Sequence, residues 1–116
     1  MDLNDLQKQI CNFYDAKFEF AEPNSIIGVS DNVFSGLQPL NGLRHPIEGN
    51  ACGWYIFAGD DILQEDDFFK PYHLYHIIEL IPSIKKYLGL PPGYRFLLGN
   101  NDYEDVWFDE NLLDIS

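Results

Sequence analysis

Leu3, Leu6, Ile10 and Phe13 recur at steps of three and four with Asp2 ahead of them, so residues 3–15 predict an amphipathic helix capped by an aspartate. The pattern changes to alternation at 15–20, and the β-branched run Ser25-Ile-Ile-Gly-Val-Ser predicts a strand at 25–29. Between Ser35 and Gly53 the glycines Gly36, Gly42, Gly49 and Gly53 and the prolines Pro39 and Pro46 punctuate the chain so closely that an ordered loop is expected. Trp54 to Ala58 is apolar and short enough for a buried strand, ended by Gly59. Pro71 suits the first turn of a helix, and Leu74, Ile77, Ile78 and Ile81 supply its apolar stripe, with Ile78 expected to be fully buried and His76 exposed. Pro82 restarts the pattern: Ile84, Tyr87 and Leu88 make one more face, and Gly89 stands where a left-handed C-terminal cap belongs. After Pro91-Pro92-Gly93, residues 94–99 and 105–109 read as two strands joined by the turn formers of 100–104, with a short cap over the last seven residues.

These elements predict one α+β domain over 1–116, a mainly antiparallel sheet packed by an N-terminal helix and a central helix pair. The chain is long enough to bury a core without disulfides or metal, and 46% hydrophobic residues are too many for a disordered chain. Charge sharpens the picture. Nineteen acids against seven bases give a formal net charge of −12, which repels nucleic acid and anionic membrane alike and leaves a basic or neutral partner open. Cys11 and Cys52 form no metal-type cluster, the N-terminus lacks the basic and apolar regions of a secretory signal, and no apolar run approaches a membrane span, so a cytoplasmic protein with free thiols is expected.

Candidate chemistry thins out under the same reading. His73, His76 and Glu79 stand at steps of three, but on a helix whose stripe is buried such steps walk around the axis instead of converging, so no metal is expected. His45 and Cys52 have the residue types of a nucleophile pair but no orienting third group, and a free cysteine is most often a small buried hydrophobe. The acids show no spacing that separates a catalytic pair from surface charge, and no glycine pattern matches a nucleotide-binding loop. Neither enzyme nor cofactor is expected. What remains is a surface in which aromatic residues (Trp54, Tyr55, Tyr94, Tyr103, Trp107 and Phe108) lie among acids. About half of them should be buried by alternation; those left outside would anchor a partner that the carboxylates steer, and composition alone equally allows the aromatics to build a core and the acids to keep the protein soluble.

The segments Gly42-Leu-Arg-His-Pro46, Cys52-Gly-Trp-Tyr-Ile-Phe57, Phe68-Phe-Lys-Pro-Tyr-His-Leu74, Leu88-Gly-Leu-Pro-Pro-Gly-Tyr-Arg-Phe-Leu97 and Tyr103-Glu-Asp-Val-Trp-Phe-Asp109 together resemble the immunity protein 33 domain family of bacterial polymorphic-toxin systems, over about 26–113. The resemblance implies a non-enzymatic cytoplasmic protein that neutralises a cognate toxin by binding it. The motif positions it marks are Gly53, Trp54, Pro91, Pro92, Gly93, Arg95, Trp107 and Asp109, with Gly93 expected in a turn and Arg95 expected to pair with Asp109 across a hairpin. The partner-binding residues expected from the acidic stretches are Asp60, Asp61, Asp66, Asp67, Asp102, Tyr103, Glu104 and Asp105. The alternative is a stand-alone adaptor or regulatory binding domain with no toxin partner.

Overall fold

Side chains that alternate between two faces must find two environments, and the strand Ala51–Ala58 (β3) shows both. Cys52, Trp54, Ile56 and Ala58 enter the main core, while Tyr55 and Phe57 join a second cluster on the opposite face with Leu43 and Leu112. The computed structural model describes residues 3–59 and 69–113. Around β3, the described residues form a six-stranded sheet with Ile26–Ser30 (β1), Leu40–Arg44 (β2), Phe69–His73 (β4), Tyr94–Leu98 (β5) and Glu104–Phe108 (β6), in the order β4-β1-β3-β2-β5-β6. Only β1 and β3 run parallel; the other neighbours are antiparallel. The fold is therefore α+β, as the order of predicted elements implies.

The helix Leu3–Phe13 (α1), the helix Leu74–Leu80 (α2) and the 3-10 helix Pro82–Tyr87 supply the layer that covers the core face. The expected Leu-Leu-Ile-Phe stripe of α1 is rotated by about one position. Gln7 and Cys11 are its buried residues, Leu6 and Ile10 flank them, and Phe13 is 78% exposed. The reason is polar: the Gln7 amide donates to the Lys85 carbonyl at 2.9 Å, and the Cys11 thiol donates to the Gly89 carbonyl at 3.3 Å, which fastens α1 to the end of the 3-10 helix. In α2, Leu74, Ile77 and Ile81 are buried as expected, but Ile77 is the fully enclosed centre and Ile78 only a half-buried flank.

Three expectations are corrected. Residues 35–53 do not form a loop throughout, because β2 lies within them and is an inner strand of the sheet. Its sequence, Leu-Asn-Gly-Leu-Arg, hides the strand pattern: Gly42 is flat because the Phe96 ring lies against it, and a Cβ there would overlap that ring. Pro71 sits in the edge strand β4, not in a helix, and the helix begins at Leu74. Gly89 does not take a left-handed conformation; it is small because Phe18 and Gln7 close over it, with a Cβ falling 2.7 Å from the Phe18 ring. Asp2 and the acidic segment 60–67 lie outside the described residues.

Candidate partner-binding surface

The β5–β6 hairpin turns at its tip through Asn101 and Asp102, both with positive φ, and the Tyr103 amide donates to the Asn100 carbonyl at 3.2 Å. This turn carries Asp102 and Tyr103 out into solvent, with Tyr103 55% exposed, and Asp105 follows as an exposed residue of β6. Glu104 behaves differently. Its carboxylate accepts hydrogen bonds from Tyr14 at the end of α1 (2.6 Å) and from Tyr87 of the 3-10 helix, with the Lys86 ammonium 3.8 Å away. Burial pushes this carboxyl up, but the two phenol hydrogen bonds and the Lys86 charge outweigh it and hold the group below the ordinary carboxylate range. The same arrangement pushes Tyr14 up to about 12, through burial first and then the Glu104 hydrogen bond and charge. Beside this clasp a cleft of about 390 Å³ is lined by Lys86, Tyr87, Leu98, Asp102, Tyr103 and Glu104. Of the eight expected partner-binding residues, then, Asp102, Tyr103 and Asp105 share one exposed end of the molecule, Glu104 joins them but is engaged internally, and Asp60, Asp61, Asp66 and Asp67 lie outside the described residues.

The motif positions divide between framework and surface. Gly53 has φ +91, and a Cβ would collide with the His45 carbonyl oxygen, so only glycine fits where β3 bends past His45. Trp54 is buried and its indole N–H donates to the Leu88 carbonyl at 2.9 Å. Gly93 makes the expected turn at φ +97, with the Phe108 ring over its Cα, and Pro91 and Pro92 lead into it half-buried. Arg95 pairs with Asp109 at 3.4 Å across the hairpin, as expected, and its guanidinium also stands over the Trp107 ring at 5.3 Å. Both side chains lie on the sheet face opposite the helices, where a trough lined by His45, Tyr55, Phe69, Arg95 and Leu112 runs over the strands. Among the aromatics, Trp54 is enclosed, Tyr55, Tyr94 and Trp107 are half-buried, and Tyr103 and Phe108 are exposed.

The supposed Cys/His pair is split by the sheet. Cys52 belongs to the helix-side core, where burial pushes its thiol up, away from the nucleophilic thiolate. The His45 ring stands against Tyr55 on the other side, its Nδ1 3.0 Å from the Leu112 carbonyl. His73 and His76 are exposed, and among the described residues no three His, Cys, Asp or Glu side chains are grouped to hold a metal ion.

Arg44 is the residue that sequence reasoning missed. It is 0% exposed, yet its partners are carbonyls: Nε donates to Cys52 at 3.0 Å, and Nη1 to Glu19 and Leu90 at 2.9 and 2.8 Å and to Leu88 at 3.3 Å. Its guanidinium also covers the Trp54 ring at 5.7 Å. A buried charge costs heavily unless its donors are satisfied; Nε and Nη1 are, tying β2 and β3 to the 88–90 turn and to Glu19, while Nη2 has no partner among the described residues. The signal was its place in the Gly-Leu-Arg-His-Pro motif, which marks the position without revealing its burial.

Among the described residues no helix is long and apolar enough to cross a membrane. No curated protein and no solved structure matches the chain at a significant level. The sequence profile of the Imm33-like domain does match, over residues 6–109. That span begins inside α1 and so takes in most of the N-terminal helix, which lies outside the motif resemblance over 26–113. Covering most of the sequence, the match establishes that the chain belongs to the Imm33-like domain family.

Proposed function

We propose that the protein is a non-enzymatic immunity protein that acts in the cytoplasm by binding a cognate bacterial toxin, needs no cofactor, and blocks the toxin through its acidic, aromatic-bearing end. The observation that carries this reading is membership of the Imm33-like domain family across residues 6–109. The geometry supports binding over catalysis: Asp102, Tyr103 and Asp105 form an exposed tip on the β5–β6 hairpin, whereas Glu104 is committed as an acceptor for two tyrosines. The exposed acids of the tip favour a positively charged toxin site. Co-expression with the catalytically inactivated product of the adjoining reading frame tests the proposal. A stoichiometric complex should co-purify, and the protein should restore growth to cells producing the active toxin. Absence of both sinks the proposal.

A further inference from the structure

We propose that the free edge of β6 receives an extended, basic segment of the partner as a seventh strand. This rests on the toxin-binding reading and names the surface that serves it. The β6 strand ends the sheet, paired with β5 on one side and with no described strand on the other. Two hydrogen bonds fix which of its backbone groups face away from β5: Gly99 N–H to the Tyr103 carbonyl at 3.0 Å, and Asp109 N–H to the Gly93 carbonyl at 2.6 Å. With the register Arg95↔Trp107 and Leu97↔Asp105, the alternation of an antiparallel ladder turns the N–H and C=O groups of Asp105 and Trp107 inward to β5. Those of Glu104, Val106 and Phe108 point outward, spaced to accept another strand.

The other edge of the sheet is blunted: β4 carries Pro71, which has no N–H to offer. No proline interrupts β6. Its charge selects the occupant. Residues 102–110 hold five acids and no base; Glu104 and Asp109 are engaged with Lys86 and Arg95, but the exposed Asp102, Asp105 and Glu110 remain, so a second copy brought edge to edge would set like charges against each other, whereas a lysine- or arginine-bearing strand would be drawn in. A strand added there places side chains beside Asp105 and Trp107 on the open face and beside the exposed Phe108 on the other, so backbone bonds give affinity and alternate pockets give specificity.

Amide hydrogen exchange, resolved by residue, tests this with the inactivated product of the adjoining reading frame as the probe. In the free protein the amides of Glu104, Val106 and Phe108 should exchange fast and those of Asp105 and Trp107 slowly. In the complex the first three should slow by roughly tenfold or more. Val106→Pro removes an outward N–H without touching a ladder bond to β5, although it also replaces a side chain packed against the core, and, with its fold checked by thermal melting, should weaken binding by about tenfold to a hundredfold. If that variant does not fold, exchange in the unaltered protein decides alone. A complex in which the three outward amides remain fast overturns the edge proposal and leaves the immunity reading standing. Slowing that appears on concentrating the protein by itself assigns the edge to a second copy and also overturns it. Failure of the unaltered protein to bind the probe overturns both readings.

Discussion

Glu104 shows how one residue changes meaning between sequence and structure. In the sequence it is one acid of an acidic stretch; in the fold it gathers the hydroxyls of Tyr14 and Tyr87 and so joins α1, the 3-10 helix and β6. Because its folded pKa lies below the ordinary value of 4.5, its contribution to stability is present above that value and is lost as pH falls through the lower folded value. Tyr14 works at the other end: raised from 10.0 to about 12, it stabilises fully below 10.0 and loses that contribution as pH rises through about 12. Glu104→Gln should therefore cost about 2 kcal/mol at neutral pH and flatten the acid limb of stability, checked by chemical denaturation at several pH values. Parallel acid limbs for the two proteins would show that the clasp does not titrate as described. Arg95 and Arg44 mark the limits of legibility at this scale. The Arg95–Asp109 pair is local, 14 residues apart in one hairpin, and was readable. Arg44 reaches carbonyls 25 residues behind and 44 and 46 residues ahead, and no local pattern announces partners at that distance.

At the scale of elements, α2 and the terminal hairpin were legible because their signals are periodic and local. The stripe of α2 is centred on Ile77, which is 0% exposed, while His76 points to solvent. Ile77→Asp would bury an unpaired carboxylate and should destabilise by more than about 4 kcal/mol, whereas His76→Ala should stay within about 0.5 kcal/mol. Similar melting temperatures for the two variants would mean that the helix is rotated from the orientation described. The inner strand β2 was illegible for the opposite reason. Its Gly42 and Asn41 make sense only against residues supplied from elsewhere, the Phe96 ring and the Gly59 carbonyl, to which the Asn41 amide donates at 2.8 Å. Propensity reads a Gly- and Pro-rich segment as a loop; tertiary contacts overrule it where the sheet needs a flat surface for an aromatic ring. Pro71 was misplaced in the same way, since a proline tolerated at a helix start is equally tolerated on an edge strand.

For the whole molecule, the net charge of −12 leaves a large excess of acids over bases, and the ion pairs it contains do not reduce that excess. Both arginines are turned to internal work, Arg44 fully buried and Arg95 paired with Asp109, and Lys70 is bound to Asp31 at 2.8 Å. Neutralising Asp60, Asp61, Asp66, Asp67, Asp102 and Asp105 to asparagine should slow association with the toxin by roughly tenfold at low salt, with the gap closing as ionic strength rises, while Tyr103→Ala should chiefly speed dissociation. An unchanged association rate in stopped-flow mixing would remove the acids from the encounter. The fastening of α1 to the 3-10 helix and Gly89 has a further consequence, for synthesis. The hydrogen bonds of Gln7 and Cys11 each span 78 residues, and that of Tyr14 spans 90. A chain leaving the ribosome N-terminus first must therefore hold its amphipathic helix undocked until the 3-10 helix has emerged, and β6 after it. If the proposed toxin is made at the same moment, protection would then begin only after β6 has been translated, which favours starting synthesis of this protein before that of the toxin.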